Sequence, residues 1–290
     1  MTLDLWISAL QMGCFFGLLA LAYYLVLVGA GFFNFAIGPY AMVSGLFTSY
    51  LVIEEEVPLW PAVLIAVLTS IVLAVATELL VVRPVQKRSG GGELPALVAV
   101  AAVLFAVQQI AGDQLGYLTL PGQPLLTIDP IAIGETYLQP GAILMVVATI
   151  VTFAAVAVWI RATRSGRLLR AVGDSTPAAK LLGLPVNRVR LVAFALSGLI
   201  AAVAGLLFST KAGVNNLSGL SWAVSGFLAL VIGGSGSIVA PLVGGLLFGV
   251  VEVFVPYYLG GNAHVYAMLI IALLFFAVKP EGLFVKRVRA

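Results

Sequence analysis

The chain opens with an uncharged, apolar stretch about two bilayer crossings long. No charged residue occurs between Asp4 and Glu54, and at about 1.5 Å per residue a helix over this stretch would be about 70 Å long. The composition also indicates a membrane protein, because 62% of the residues are hydrophobic and only 9% are charged. Soluble domains have about 25% charged residues. The sequence therefore predicts an all-α, polytopic integral membrane protein.

Further apolar segments predict about nine transmembrane helices, with roughly eight to ten compatible with the chain length. A single transmembrane domain is expected to fill residues 1–290, with no soluble domain beside it. The opening stretch is expected to break near Gly29 and so provides the first two spans. The later predicted spans cover residues 60–82, 94–111, 141–160, 191–209, 222–232, 239–256 and 264–278.

Glycines have two expected roles within these spans. Some interrupt helices, because glycine and proline are poor residues for a helix interior. Others bring helices together: Gly13 with Gly17, and Gly245 with Gly249, have the GxxxG spacing that allows close helix approach in lipid. The predicted helix breaks are Gly38, Pro39, Gly233, Gly234 and Gly236.

The distribution of charge predicts how the chain sits in the membrane. Residues 161–190 contain 7 of the 15 basic residues, and further basic clusters lie at 83–88 and 279–289. The stretch 113–139 carries acids and no basic residue. Because Lys and Arg accumulate on the cytoplasmic side, we expect an inner-membrane protein with its N-terminus outside and its C-terminus in the cytoplasm. Lys211 is then the only basic residue on the outer side.

A short helix is predicted inside the basic segment 161–190. Ser175 or Thr176 can cap its start, Pro177 suits the first helical position, and Gly183 ends it. A capped helix outside the bilayer is typical of a surface offered to a partner. The alternative is an ordinary loop whose charges only set the topology.

The sequence offers no residue pattern for catalysis or cofactor binding. Cys14 is the only cysteine, which excludes an internal disulfide and a cysteine-based metal cluster. The glycine-rich stretch 233–237 lacks the lysine of a nucleotide-binding phosphate loop. His264 is the only histidine, so no Ser/His/Asp triad is expected. We expect no metal, no cofactor and no nucleic-acid partner, and we expect ATP to be hydrolysed by another chain.

Polar side chains within the apolar segments are the candidates for a translocation path. Glu78 precedes Arg83 by five residues and is expected to pair with it. Glu252 has no charged neighbour in the sequence, and both a structural and a pathway role remain open for it. Amides and hydroxyls can contact a passing solute or bridge helices, and the sequence leaves both roles open. The candidates are Asn34, Ser44, Thr48, Gln108, Gln109, Asn215, Asn216 and Glu252.

Three passages, taken together and in order, resemble the permeases of branched-chain amino acid ABC importers, the LivH type. The resembling passages are Leu27–Gly38, Gly166–Val172 with Ala178–Gly183, and Val231–Ile238 with Gly244-Gly245. They are similar to the family patterns G-x-x-N-F-A-x-G, G-R-x-x-R-A-V…A-A-x-L-L-G and G-G-x-G-S…G-G. The chain departs from the family at Ile37 and Pro39, where many members carry a histidine and an acidic residue, and this departure bears on the substrate.

The resemblance implies a permease subunit that forms half of the translocation path for branched-chain or similar small amino acids. It implies three kinds of partner: a second, related permease subunit, two ATPase subunits, and a periplasmic solute-binding protein. It also makes residues 175–183 the coupling helix that docks on the ATPase. The residues assigned to ATPase coupling are Arg167, Arg170, Ser175, Ala178, Lys180, Leu181, Leu182 and Gly183.

Three alternatives to this assignment remain. Urea or a short amide is the nearest alternative substrate, because related permeases carry such solutes. A self-contained secondary transporter would need ionisable groups at the middle of the membrane, and Glu252 is the one clear candidate. A membrane enzyme would need a cluster of His, Asp and Glu at the interface, which the sequence lacks.

Overall fold

The computed structural model describes residues 2–90, 92–126, 129–133 and 136–261, and also residues 266, 270, 273, 274, 277, 283 and 284. The helices in these residues are α1 (Thr2–Ala30), α2 (Ile37–Ile53), α3 (Leu59–Ala76), a π-helical turn (Thr77–Val82), α4 (Arg83–Arg88), α5 (Glu93–Leu115), α6 (Pro140–Ala162), α7 (Arg164–Asp174), α8 (Thr176–Leu181), α9 (Val186–Ala212), α10 (Ser218–Gly233) and α11 (Ala240–Leu259). Two short strands, β1 (Ile131–Ile133) and β2 (Thr136–Leu138), lie between α5 and α6.

Eight apolar helices account for the membrane-embedded part of the described chain. Six are long enough to cross a bilayer, with α3, the π-helical turn and α4 forming one continuous helix, Leu59–Arg88. The other two, α2 and α10, have 17 and 16 residues. The multi-pass α-helical architecture is thus present. The predicted ninth span, 264–278, falls largely outside the residues that the structure describes.

The all-α fold class is confirmed, with one addition that the sequence did not predict: a short antiparallel β1–β2 hairpin in the loop between α5 and α6. Two further sequence predictions need correction. The basic stretch Arg83–Arg88, predicted as a loop, is helical and extends the third span. The basic segment 161–190 is not one loop with a short helix, because α7 occupies its first half and α9 begins at Val186 instead of Leu191.

Helix α1 lies at the centre of the bundle. Of its most apolar 18-residue stretch, 83% is buried, against 28% for α5 and for α6. A helix that is apolar on every side is expected in such a position, and α1 carries no charge after Asp4. Helices α3, α5 and α6 instead expose many leucine, valine and isoleucine side chains, as lipid-facing helices do.

Helices α1 and α11 are held together by the two glycine pairs that the sequence singles out. A Cβ atom added at Gly249 would lie 2.3 Å from the backbone nitrogen of Gly13, and one at Gly245 would lie 2.3 Å from that of Gly17. Both distances are far below van der Waals contact, so these positions admit only glycine. The predicted close helix packing is confirmed, and the two helices run antiparallel.

An inverted repeat relates α1–α2 to α9–α10. Helices α1 and α9 are antiparallel, since Phe15 packs on Phe208 near one end, at a ring-centroid distance of 4.4 Å, and Gly29 lies against Ala193 near the other. A short turn that begins with an asparagine, Asn34 or Asn215, then leads into the shorter helix of each unit. The two units therefore share one local structure and cross the membrane in opposite directions.

The two short helices meet at their first turns. A Cβ atom at Gly38 would lie 2.1 Å from the carbonyl oxygen of Gly219, and one at Gly219 would lie 3.2 Å from Pro39. Gly38 and Pro39 are therefore not at a helix break, as the sequence suggested, but in the first turn of α2. The interruption lies just before them, where Gly31 has a φ of +81°. The predicted break at Gly233–Gly236 is present: α10 ends at Gly233, and Gly234 has a φ of +86°.

Candidate coupling surface and translocation core

The basic segment begins with α7, a strongly amphipathic helix. The Thr163 hydroxyl accepts a hydrogen bond from the Gly166 N–H, 3.0 Å away, and caps its start. Leu169 and Val172 are buried one turn apart, which fixes α7 against the membrane helices. Arg167 and Arg170 lie on the exposed face. The helix therefore keeps two predicted coupling residues at the surface.

The predicted short helix is present as α8. Ser175 caps it by accepting a hydrogen bond from the Ala178 N–H at 3.3 Å, and Gly183 follows its end with a φ of +71°. Ala179 is buried against the rest of the chain, whereas Ala178 and Lys180 are exposed. One face of α8 thus anchors the helix and the other faces outward.

Two adjacent leucines at the end of α8 are left open to solvent. Leu181 is 90% exposed and Leu182 is 77% exposed. Two neighbouring leucines that project from a basic, polar segment are unusual, because their burial is favourable by about 1.5–3 kcal/mol each. Exposed apolar groups rimmed by charge mark interaction surfaces. Helix α8 is therefore a candidate docking element.

A buried ion cluster lies between the π-helical turn and the beginning of α9, the helix that follows α8. Glu78, in the π-helical turn, is fully buried, and its two carboxylate oxygens bind two different arginines. Arg83 Nε donates to Oε1 at 3.1 Å, and Arg190 Nη2 donates to Oε2 at 3.0 Å. The expected Glu78–Arg83 pair is confirmed. The sequence analysis treated Arg190 only as one of the basic residues that set the orientation in the membrane, and it did not predict the contact with Glu78.

The cluster joins the third span to the beginning of α9. Arg83 Nη2 donates to the Asn187 carbonyl oxygen at 2.7 Å, and Arg190 Nη1 donates to Gln86 Oε1 at 2.6 Å. Since α9 begins at Val186, shortly after α8, these bonds connect the docking element to the membrane helices. Local π-helical turns occur often at functional sites, and here the π-helical turn carries the central carboxylate.

Two of the predicted path residues occupy equivalent places in the inverted repeat. Asn34 Oδ1 accepts the Ala36 N–H at 3.1 Å, and Asn215 Oδ1 accepts the Leu217 N–H at 3.0 Å. Each asparagine therefore shapes the turn before a short helix. Asn34 Nδ2 is fully buried near the Tyr40 hydroxyl, and neither atom has a hydrogen bond of standard geometry with the described residues. Buried donors of this kind are rare and call for an explanation.

Two further candidates lie close to the second turn of the repeat. Gln108 Nε2 donates to the Leu217 carbonyl oxygen at 3.2 Å and so ties α5 to the start of α10. The Asn216 side chain is buried beside Gly112. These amides and Asn215 form one polar group, which the sequence could not place together because α5 and α10 are distant in the chain.

The remaining candidates do not join this group. Ser44 donates to the Ala202 carbonyl oxygen at 2.9 Å, and Thr48 donates to the Ser44 carbonyl oxygen at 2.8 Å, so both satisfy helix backbone groups. Glu252 is partly buried on α11. The structure therefore separates the candidate list into a group near the start of α10 and residues that lie outside that group.

Gln109 also lies outside the group, on the exposed surface near the C-terminal end of α5. Its Nε2 donates to Asp113 Oδ1 at 3.1 Å and to the Tyr117 hydroxyl oxygen at 2.8 Å. The Tyr117 hydroxyl in turn donates to Asp113, and this bond raises the pKa of Tyr117 above its ordinary value. Gln109 thus belongs to a surface network and not to a path through the bundle.

Comparison with known proteins places the chain among transport proteins. Residues 6–278 match the family described as branched-chain amino acid transport system / permease component. The Escherichia coli K12 protein named "High-affinity branched-chain amino acid transport system permease protein LivH" is 29% identical over 294 residues, which cover 95% of this chain and 93% of the relative. The Pseudomonas aeruginosa PAO1 protein of the same description, BraD, is 28% identical over 300 residues, 96% of this chain and 94% of the relative.

A more distant similarity covers part of the chain. The "Autoinducer 2 import system permease protein LsrC" of Enterobacter sp. strain 638 is 34% identical over 117 residues, 40% of this chain and 32% of the relative. The full-length similarities and the family match span almost every helix described above. The chain belongs to the family of branched-chain amino acid transport system permease components.

Proposed function

We propose that this protein is the permease subunit of an ABC importer and forms half of the path for branched-chain or similar small amino acids. The observation that carries the proposal is the exposed Leu181–Leu182 end of α8, on a protein that matches a permease family over residues 6–278. A permease driven by separate ATPases needs an apolar docking element at its basic, cytoplasmic side. Helix α8 has that composition and that exposure.

The proposed partners follow from what the chain lacks and what it presents. Its sequence has no phosphate loop, so ATP hydrolysis is assigned to two partner ATPase subunits. A second, related permease supplies the other half of the path, and a periplasmic solute-binding protein delivers the amino acid. The family match and the full-length similarity to LivH support this assembly.

The proposed translocation core lies where α2 and α10 meet. In inverted repeats, interrupted helices place free backbone groups near the middle of the membrane, where solutes bind. Ser70, midway along the third span, donates to the Tyr40 carbonyl oxygen at 2.9 Å, which supports this depth for the first turn of α2. Asn34 and Asn215 shape the two turns, and the unpartnered Asn34 amide is available to a solute when the helices separate.

Cysteine labelling should find residues 175 and 55 on opposite sides of the membrane, as the basic inner segments predict. In a Cys14→Ser background, a cysteine at Ser175 should react only with reagents that reach the cytoplasm. A cysteine at Glu55 should react with impermeant reagents added to whole cells. Labelling of Ser175→Cys from outside the cell would contradict both the orientation and the docking role of α8.

Leu181→Asp should weaken assembly with the ATPase by at least about tenfold. Burying a leucine contributes about 1.5–3 kcal/mol, and about 1.4 kcal/mol corresponds to one decade in affinity. Helix α8 lies outside the bilayer in the proposed orientation, so membrane insertion should be unaffected. Co-purification of the ATPase with tagged permease, together with solute-stimulated ATP hydrolysis, measures the effect.

Leu118→Asp provides the matched control. Leu118 is 80% exposed and follows α5 on the opposite side of the membrane in the proposed orientation, so its replacement should not affect co-purification. Lys180→Glu should have a smaller effect than Leu181→Asp, because surface ion pairs contribute little. If Leu181→Asp retains the ATPase as well as Leu118→Asp does, α8 is not the coupling helix.

A further inference from the structure

Four buried polar side chains lie between the turn before α2 and the ion cluster at the π-helical turn. They are Asn34, Tyr40, Thr77 and Glu78, and none is more than 4% exposed. Polar groups in an apolar interior are unfavourable unless they bond to one another. The first of the four belongs to the proposed translocation core and the last to the ion cluster. The side chains of Tyr40 and Thr77 have no role in either.

The four side chains meet at the Tyr40 hydroxyl. This hydroxyl lies beside the Asn34 amide and the Thr77 hydroxyl, and the Glu78 carboxylate is close enough to act on it electrostatically. Ser70 Oγ donates to the Tyr40 carbonyl oxygen at 2.9 Å, and Thr77 follows Ser70 by two turns of the third span. Helix α2 runs antiparallel to that span, and helix side chains lean toward the N-terminus, so the Tyr40 ring extends toward Thr77.

The available hydrogen atoms determine how these groups can bond. Asn34 Oδ1 already accepts the Ala36 N–H at 3.1 Å, so Nδ2 is the atom left to donate to Tyr40. The Thr77 hydroxyl already donates to the Leu73 carbonyl oxygen at 2.7 Å, so it can only accept from Tyr40. A tyrosine hydroxyl donates one hydrogen bond and also accepts. Tyr40 can therefore accept from Asn34 and donate to Thr77 at the same time.

The Tyr40 contacts are not complete hydrogen bonds in this conformation. Neither Asn34 Nδ2 nor the Tyr40 hydroxyl has a bond of standard geometry with the described residues. Buried polar groups without a partner are unfavourable, so a small shift of α2 against the third span would be enough to complete the bonds. The position of the third span therefore controls how strongly Tyr40 holds the Asn34 amide.

We propose that the Tyr40 hydroxyl links the Asn34 turn to the Glu78 ion cluster, so that a change at either one acts on the other. Thr77 directly precedes Glu78 in the π-helical turn. Glu78 binds Arg190 Nη2 at 3.0 Å, near the start of α9, the helix that follows α8. A solute that takes the Asn34 amide would act on the cluster through the same contacts, because coupling between sites is reciprocal. The inference rests on the proposed function and adds a route between its docking helix and its translocation core.

Hydrogen–deuterium exchange of the purified full-length permease tests the link without any partner. The Ala36 amide, which donates to Asn34, should exchange faster when the link is cut, because exchange follows local opening. Tyr40→Phe and Thr77→Val should each raise its rate about fivefold, roughly the effect of one hydrogen bond. Mass spectrometry of the peptide that contains the turn measures the rate.

Thr149→Val is the matched control for Thr77→Val. Thr149 is also buried, and its hydroxyl makes the same kind of bond, to the Met145 carbonyl oxygen at 2.8 Å, but it lies on α6. Its replacement removes the same hydroxyl from the interior of the bundle. The Ala36 exchange rate should therefore stay at the value of the unsubstituted protein.

A double-mutant cycle separates a link from a merely structural role of Tyr40. Arg190→Lys keeps the charge of the cluster and loses the planar fork of the guanidinium group, so it should speed Ala36 exchange through the link. Combined with Tyr40→Phe it should have no further effect, because the link is already cut. Two independent structural defects would instead multiply their effects on the rate.

The permease–ATPase complex separates the link from the proposed function. Trapping the ATPase with ATP and vanadate should change Ala36 exchange in the unsubstituted permease and not in Tyr40→Phe, while the ATPase co-purifies equally with both. If no ATPase co-purifies with the unsubstituted protein, the proposed function fails, and exchange in the isolated permease still decides the link. The link is overturned if Tyr40→Phe leaves Ala36 exchange unchanged, if its effect multiplies with that of Arg190→Lys, or if Thr149→Val acts as strongly as Thr77→Val.

Discussion

Glu78→Ala should destabilise the protein by about 3–5 kcal/mol, the usual cost of removing one partner from a buried ion cluster. The substitution removes the carboxylate that binds Arg83 and Arg190 and leaves two guanidinium groups facing each other. Arg190 is only 13% exposed, and its Nε already has no partner among the described residues. Solvent can therefore replace little of the interaction that Arg190 loses. Denaturant titration of the purified protein in detergent measures the change.

Glu93→Ala is the matched control for this substitution. Glu93 is the same residue type at the beginning of the neighbouring helix α5, but it is exposed, so its loss should change stability little. The double variant Glu78→Leu with Arg190→Met should recover part of the stability, because an apolar pair can replace a buried ion pair at little net cost. Equal stability of Glu78→Ala and Glu93→Ala would show that the cluster contributes nothing.

Gly249→Leu should prevent the bundle from closing. Even the Cβ atom would lie 2.3 Å from the backbone nitrogen of Gly13 and 2.5 Å from its Cα atom. Backbone atoms cannot move aside as a flexible side chain can, so α11 must separate from α1. Overpacking in a protein core costs about 1–3 kcal/mol when side chains can relax, and here they cannot. Gly249→Leu should therefore be lost to aggregation or degradation, as size-exclusion chromatography of a fluorescent fusion would show.

Two alanine substitutions are the controls: Gly249→Ala should have a moderate effect on thermal stability, and Gly261→Ala should have none. Gly249→Ala should lower the thermal stability measurably, since its single methyl group meets the same backbone. Gly261→Ala, just beyond the end of α11, adds a methyl group that meets none of the described residues within 4 Å, and it should behave as the unsubstituted protein does. A monodisperse Gly249→Leu protein with unchanged thermal stability would refute the close α1–α11 contact.

The sequence predicted those features whose signals lie close together in the chain. The caps of α8 fall within residues 175–183, and the Glu78–Arg83 pair spans five residues, so both could be anticipated. The Glu78–Arg190 pair spans 112 residues and depends on how α9 packs against the third span. No local pattern carries that information. Arg190 therefore looked like one more topology signal in a basic segment.

Among the candidate path residues, too, the sequence identified the residue types but not their contacts in the folded chain. Residue type alone could not distinguish Asn34, which shapes a turn, from Ser44, which satisfies a helix carbonyl. One usable signal was overlooked: Asn34 precedes Gly38 by four residues, and Asn215 precedes Gly219 by the same spacing. That repeated pattern, each time after a long apolar helix, indicates the inverted repeat.

The pairing of α1 with α11 has a consequence for biosynthesis. At about 5–20 residues per second, α11 is completed roughly ten to fifty seconds after α1 has entered the membrane. Throughout that interval the glycine face of α1 lacks its intended neighbour, and α8 is synthesised before α11. An unfinished chain could thus present the proposed docking helix before the bundle is closed. Selective degradation of chains that lack α11 would keep incomplete permeases from sequestering ATPase subunits.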